Sequence, residues 1–232
     1  MELRCHWRVL GSPSAPPLVL VHGFGASSSH WRHNAEPLTA AGYRVYGIDL
    51  IGFGRSDQPG LNRRRALDNR LWAKQLAAFI DEVVQQPAVL VGNSLGGLAA
   101  LTAAVLRPDL VRAVAAAPLP DPTLLSPMPL RQSRWMRRLQ RTTVKLVCRL
   151  LPLELMVPLI SRTPLLKAGL QGAYRRSIRS DRELLQLIAH PARRVTAPRS
   201  LRAMSVGMAL RPRSATAPVL LQRLQALSNA PP

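Results

Sequence analysis

The sequence predicts an α/β protein in which a doubly wound, mostly parallel sheet carries a helical cap. In the first half of the 232 residues, short apolar runs rich in β-branched side chains alternate with segments of helical periodicity. Such alternation is typical of a parallel sheet. From Pro118 onward the pattern changes, because five closely spaced prolines precede a long stretch without strand-like runs. This change predicts that the second half is mostly helical.

The predicted strands are continuous apolar runs, as expected of strands that are buried on both faces. They cover residues 18–21, 45–48, 89–91 and 111–117. Between the second and third run, apolar side chains recur at spacings of three and four from Trp72 onward, with Asp68 or Asn69 available as the N-cap of a helix. Another helix is predicted over residues 98–106.

Length and composition fit a globular unit, since 47% hydrophobic residues can bury a core. We expect an α/β core over residues 1–120, a basic helical cap over residues 121–215, and the start of a helix that returns to the core over residues 216–232. The sequence contains no run of 18 apolar residues and no signal-peptide pattern, which predicts a cytoplasmic protein. Cys5 and Cys148 lie too far apart in the sequence for a CxxC pair or a metal cluster, so we expect free thiols, no metal and no cofactor.

The net charge of +20 is concentrated in the second half, where residues 121–232 hold 20 basic against 4 acidic side chains. Such a field attracts anionic membranes, nucleic acid or acidic partners, although an arginine-rich composition also fits biased codon usage. Nucleic acid is disfavoured, because no recognition motif and no interleaved aromatic residues accompany the arginines. Nothing in the sequence predicts an oligomeric state.

One predicted cap helix is both basic and amphipathic. Its basic face contains Arg134, Arg137, Arg138, Arg141, Lys145 and Arg149, and its other face contains Trp135, Leu139, Leu146 and Leu150. Two interpretations remain open: the apolar face packs on the core and leaves the charges in water, or the helix makes peripheral contact with an anionic membrane.

The segment from Gly92 to Gly96, with Ser94 at its centre, directly follows a predicted strand and precedes a predicted helix. This context is typical of a nucleophile elbow, in which the two glycines allow strand and helix backbones to approach and the serine hydroxyl is left open. Ser94 is therefore the candidate nucleophile. The backbone N–H of Leu95, at the start of the helix, is one expected donor of an oxyanion hole.

The second expected donor is the backbone N–H of Phe24, because His22, Gly23 and Phe24 follow an earlier strand. His22 and Gly23 are expected to shape that loop. Asp49 and Asp57 precede Ser94, whereas the chain order of such sites is serine, acid, histidine.

We therefore expect both aspartates to order loops, Asp57 through local backbone N–H groups. His30 and His33 are expected to have surface or packing roles.

Over residues 1–120 the sequence resembles the α/β hydrolases. Residues 22–27, 30–34, 46–59 and 82–94 are similar to the chlorophyll dephytylase and pheophytinase group of plants and cyanobacteria. The resemblance implies a serine hydrolase that cleaves a carboxylic ester of a large apolar or lipid-like substrate. It suggests the phytyl ester of a chlorophyll derivative and a peripheral place on a thylakoid-type membrane. Dehalogenases and epoxide hydrolases share the loop over residues 52–57 but resemble a pattern with aspartate at the elbow, so Ser94 favours ester cleavage.

After Ser94 the sequence offers few candidates for the rest of a triad. The acids are Asp109, Asp121, Glu154, Asp181 and Glu183, and the one histidine is His190. None of these acids is predicted to follow a strand. In the family resembled, the acid and the histidine follow two strands beyond the cap, and neither strand is predicted here. We therefore expect that the triad acid and histidine are not present in this chain. The alternative function is a catalytically incomplete remnant or binding module with the same fold.

Overall fold

The computed structural model of the protein describes residues 3–61, 66–119, 121–125, 133–172, 174, 177–178 and 180–228. These residues form a five-stranded sheet. Its strands are β1 (Trp7–Leu10), β2 (Pro17–Val21), β3 (Arg44–Ile48), β4 (Ala88–Gly92) and β5 (Val111–Ala116). The strand order is β1-β3-β2-β4-β5, with β1 antiparallel to β3 and the other neighbours parallel. The predicted mostly parallel sheet is confirmed.

Helices flank the sheet and continue through residues 121–215, the segment predicted as a cap and called the cap below. They are α1 (Ala35–Ala40), α2 (Asn69–Phe79), α3 (Leu95–Leu106), α4 (Arg134–Leu150), α5 (Leu153–Arg162), α6 (Pro164–Gln171), α7 (Arg182–Ala192), α8 (Ala197–Ala209) and α9 (Ala217–Ser228). The predicted N-cap of α2 is confirmed, since the side chain of Asp68 accepts a hydrogen bond from the Arg70 N–H. Part of the proline-rich segment, residues 126–132, lies outside the described residues.

The sheet places the ends of β2 and β4 side by side. β2 is buried along its whole length, and Val21 at its end pairs with Gly92 at the end of β4. The Asn93 N–H also donates to the Val21 carbonyl at 3.0 Å. The loops that follow these two strands are therefore neighbours, as expected where a site forms at the carboxyl ends of parallel strands.

The cap helices α5 to α8 pack on one another, and α4 packs against α8. Arg202 of α8 secures the junction between α4 and α5. Its guanidinium donates to the carbonyls of Cys148 at 2.7 Å and Leu151 at 2.8 Å, and it forms an ion pair with Glu154. The orientation of α4 on α8 is thus held by several backbone contacts.

The buried side of α4 is not its most apolar side. Cys148 is buried, whereas Trp135 is 64%, Leu139 56% and Leu150 71% exposed. The interpretation in which this apolar face packs on the core is therefore wrong. The side chains of Arg134, Arg137 and Arg141 lie outside the described part of the chain. No helix among the described residues is long and apolar enough to cross a bilayer.

Candidate active site

Ser94 lies on a sharp turn between β4 and α3. Its backbone adopts φ 53° and ψ −117°, a strained conformation for a residue with a side chain. A Cβ at Gly92 would lie 2.5 Å from the Gly97 Cα, and a Cβ at Gly96 would lie 2.5 Å from the His22 carbonyl oxygen. The two glycines thus allow the close approach that holds the serine in this conformation. Ser94 is half-buried, and its hydroxyl stands at the N-terminus of α3.

The loop after β2 touches this turn. A Cβ at Gly23 would lie 2.8 Å from the Asn93 Oδ1 and 3.2 Å from the Ser94 Cβ. Within the described residues, the backbone N–H groups of Phe24 and Leu95 donate no hydrogen bond, and Leu95 opens α3, where the helix dipole favours negative charge. The arrangement brings both expected oxyanion donors into the neighbourhood of Ser94.

His22 is fully buried beneath that loop. Its Nδ1–H donates to the Gly23 carbonyl at 2.7 Å, and its Nε2 accepts from the Leu50 N–H at 3.0 Å. Burial lowers the pKa of His22 below its usual value, so the ring is neutral at neutral pH. Because both ring nitrogens are engaged with the backbone, His22 orders the loop and is not available to accept the proton of Ser94.

The carboxylates of Asp49 and Asp57 also hold loops in place by accepting hydrogen bonds from backbone N–H groups. The Asp49 carboxylate accepts from the N–H groups of Ser28 at 2.6 Å and Arg55 at 2.8 Å. Burial opposes ionisation of Asp49, but these hydrogen bonds outweigh it and lower its pKa. The Asp57 Oδ2 accepts from the N–H of Arg4 at 2.8 Å. The prediction that Asp57 bonds to local N–H groups is therefore wrong, because its donor lies 53 residues earlier.

The other histidines lie away from the elbow. His33 is exposed, and the His30 Nε2 lies 3.4 Å from the Tyr174 hydroxyl. Burial lowers the pKa of His30. His190 lines a second cavity of about 260 Å³ together with Asp49, and Ser94 is not among the described residues around that cavity.

Most acids that follow Ser94 pair with arginines. Asp109 pairs with Arg107, Asp181 and Glu183 pair with Arg32, and Glu154 pairs with Arg202.

Asp121 is different because it is buried and stands five residues after the end of β5. The prediction that none of these acids follows a strand is therefore wrong. The carboxylate of Asp121 is fully engaged, however, with the Arg211 guanidinium at 2.7 Å and the Ala217 N–H at 2.8 Å.

An apolar cavity of about 330 Å³ lies between the core loops and the cap. Its walls include Phe24, Phe53, Ile160, Leu170, Ile188 and Met204. The ring of Phe53 makes edge contacts with His22, at 5.5 Å between centroids, and with Phe24, at 6.0 Å. Phe24 thus belongs both to the loop beside Ser94 and to this cavity, whereas Ser94 itself is not among the described lining residues. The sequence did not single out Phe53, since the loop motif that contains it carries no signal of a cavity wall.

A family model described as the alpha/beta hydrolase fold matches residues 16–184, which is most of the chain. The chain belongs to the α/β hydrolase fold family. It is 36% identical to epoxide hydrolase A of Mycobacterium tuberculosis over 110 residues, which cover 47% of the chain and 34% of that protein.

A second α/β hydrolase relative comes from Cupriavidus pinatubonensis. It is a 2-hydroxy-6-oxononadienedioate/2-hydroxy-6-oxononatrienedioate hydrolase, 35% identical over 135 residues, which cover 55% of the chain and 45% of the relative. The chain therefore spans less than half of the length of these curated relatives.

Solved structures support the fold as well. The crystal structure of a putative acyltransferase from Salmonella enterica aligns with a TM-score of 0.68 at 21% identity, covering 97% of this chain and 71% of the other. At that identity the likeness concerns the fold alone. The family and the fold predicted from the sequence are thus confirmed, whereas the similarity to the chlorophyll dephytylase group remains a prediction.

Proposed function

We propose that the protein is a serine hydrolase that cleaves a carboxylic ester of a large apolar substrate. The observation that carries this proposal is the strained backbone of Ser94, at φ 53° between β4 and α3. Such strain persists only where the surroundings hold it, and it is typical of functional turns. In this proposal the neighbouring N–H groups of Leu95 and Phe24 stabilise the negative charge of the oxyanion.

The mechanism is acyl transfer. The Ser94 Oγ attacks the ester carbonyl, its proton passes to a base, and the tetrahedral oxyanion accepts hydrogen bonds from the N–H groups of Leu95 and Phe24. Collapse of this intermediate expels the alcohol, which takes up the proton, and water then releases the acid from the acyl-enzyme. Because His22 is neutral and both of its ring nitrogens are engaged with the backbone, the base in this proposal is a group other than His22.

The apolar cavity supports a large apolar substrate. Its walls are mostly hydrocarbon, and its volume of about 330 Å³ lies within the range of ligand pockets. A phytyl ester of a chlorophyll derivative is the substrate that the sequence resemblance suggests. The relatives named as epoxide hydrolases make epoxide opening the rival chemistry, and a serine at position 94 favours ester cleavage.

We expect Ser94→Ala to abolish ester cleavage that a diffusible base supports. Imidazole added to the protein serves as the diffusible base, and release of p-nitrophenol from p-nitrophenyl octanoate is followed by absorbance. After the hydrolysis caused by imidazole alone is subtracted, the rate should be about 100-fold or more lower for the variant than for the wild type. Ser14→Ala, which alters an exposed serine, should leave the rate unchanged. Equal rates for the wild type and Ser94→Ala above the imidazole background would rule out Ser94 as the nucleophile.

Narrowing the apolar cavity should select against long acyl chains. Ala192 lies in its wall, so Ala192→Trp is expected to lower kcat/KM for the octanoyl ester by about tenfold while changing that for the acetyl ester less than about twofold. Ala168→Trp places the same bulk on an exposed position of α6 and should change neither ester. If Ala192→Trp lowers both esters equally, the cavity does not hold the acyl chain.

The alternative function is a non-catalytic binding module, and one observation favours it. Among the described acids that follow Ser94, each has an ion-pair partner elsewhere, and His190 lines a different cavity. A fluorescent long-chain ester distinguishes the two functions. Saturable binding that Ala192→Trp weakens, without cleavage that depends on Ser94 in the presence of imidazole, would favour the binding module.

A further inference from the structure

Two cap helices present an uncovered apolar surface, called here the cap surface. It consists of Trp135, Leu139, Leu146 and Leu150 of α4 and of Leu155 and Leu159 of α5. Each of these side chains is more than half exposed, and Leu155 reaches 74%. Groups of exposed large apolar side chains on a folded protein mark sites that meet a partner or a membrane.

The packing of α4 explains why this surface stays uncovered. The helix is buried through Cys148 and is held on α8 by the contacts of Arg202 with the carbonyls of Cys148 and Leu151. Turning the apolar side of α4 inward would break these bonds. The outward orientation of Trp135 and Leu150 is thus a consequence of specific contacts.

The charge beside the cap surface has one sign. Residues 133–171 contain eight basic side chains and one acidic side chain. That acid, Glu154, is neutralised by Arg202, which also lowers its pKa to about 2. Among the described side chains of α4, Arg138, Lys145 and Arg149 are exposed. A helix with a basic face, exposed leucines and a tryptophan has the properties of a helix that lies in the plane of a membrane interface.

We propose that the cap surface docks on an anionic phospholipid bilayer, with α4 lying in the interface. Anionic headgroups complement the arginines and the lysine, and the leucines and Trp135 enter the boundary of the acyl chains. A second copy of this chain is a poorer occupant, because it would bring an equally basic helix against the first one.

The cap surface and the apolar cavity meet on one helix. Ile160, which follows Leu159 of the cap surface in α5, is 36% exposed and lines the cavity, and Leu166 and Leu170 of α6 extend the cavity wall. Docking itself does not depend on the proposed ester cleavage.

Co-sedimentation with vesicles tests the proposal. Vesicles of phosphatidylcholine with phosphatidylglycerol should retain the protein at low salt, and vesicles of phosphatidylcholine alone should retain it far less. Combining Arg138→Gln, Lys145→Gln and Arg149→Gln should weaken binding to the anionic vesicles by about 100-fold. Binding should also fall steeply as salt rises from 0.05 M to 0.5 M, because the attraction is screened within about a Debye length.

The matched control removes three exposed charges elsewhere. Lys74→Gln, Arg112→Gln and Arg223→Gln change the net charge by the same amount on exposed positions of α2, β5 and α9. This triple variant should weaken binding by less than about tenfold. Equal losses for the two triple variants would show that net charge alone drives the attraction and would overturn the assignment to the cap surface.

The apolar part of the surface has its own readout. Leu146→Gln with Leu150→Gln should weaken vesicle binding without changing thermal unfolding, since both side chains are exposed. Tryptophan fluorescence should shift to shorter wavelength on anionic vesicles, and Trp135→Phe should remove that shift, which assigns it to Trp135 among the four tryptophans. Equal retention by neutral and anionic vesicles would overturn the proposal. The proposal would also be overturned if the protein bound no vesicles but self-associated in light scattering, and if the leucine variants abolished that self-association.

Discussion

Gly96→Ala is expected to destabilise the protein by about 3 kcal/mol or more, a large part of the stability of a typical domain. The added Cβ would overlap the carbonyl oxygen of Val21 and lie 2.5 Å from that of His22. Both obstacles are backbone atoms of β2 and the loop that follows it, so neither can move without disturbing the sheet. Urea unfolding followed by circular dichroism measures the loss.

The control for this substitution is another helical glycine. A Cβ at Gly169 in α6 would meet nothing within 4 Å, so Gly169→Ala should leave the stability unchanged or raise it by about 0.5–1 kcal/mol. If Gly96→Ala unfolds at the same urea concentration as the wild type, the elbow is looser than the described contacts imply. In that case the strained conformation of Ser94 is not enforced by its neighbours.

The elbow could be predicted from the sequence because its requirements are local. Two glycines that flank a serine between an apolar run and a helical segment indicate the close approach of strand and helix without knowledge of the tertiary structure. The burial of β2 was readable for a similar reason, since a continuous apolar run indicates a strand covered on both faces. Helix α2 was predicted from its spacing and from Asp68.

Other features depend on contacts between distant segments and were missed. β1 is a short, mostly exposed edge strand with an arginine at its second position, so it lacks a clear apolar pattern. The orientation of α4 follows from Arg202 of α8, some 50 residues later in the chain, and amphipathic spacing alone left open whether the apolar face packs on the core or contacts a membrane. Phe53 likewise becomes part of a cavity wall only because residues of the later helices cover the loop after β3. That contact cannot be predicted from the loop sequence.

Asp121 is the clearest example of a role that only the tertiary structure reveals. Its carboxylate joins the segment after β5 to Arg211, 90 residues later, and to the N–H of Ala217 at the start of α9. Helix α9 in turn packs on α3 through Ala217 and Leu220. The pair Asp121–Arg211 is buried on both sides. A break in this connection therefore loosens the packing of α3, the helix that follows Ser94.

Asp121→Asn is expected to lower the free energy of unfolding at pH 7 by about 3–5 kcal/mol, because Arg211 is left charged, buried and without its partner. Asp109→Asn is the matched control, since Asp109 forms an exposed pair with Arg107, and no measurable change is expected. Combining Asp121→Asn with Arg211→Met should cost less than the sum of the two single substitutions, since no unpaired charge remains. Additive losses would show that the pair does not act as a unit.

The effect of pH on the same variant has a definite sign. Burial raises the pKa of Asp121, but the hydrogen bonds from Ala217, Thr123 and Arg211 together lower it below its unfolded value. A lowered carboxyl pKa contributes stability that is fully present above the unfolded pKa of about 3.9 and is lost as the pH falls through the folded pKa. The difference in unfolding free energy between the wild type and Asp121→Asn should thus be constant from pH 7 to about pH 5 and shrink below about pH 4. A difference that grows on acidification would contradict an ionised carboxylate at this position.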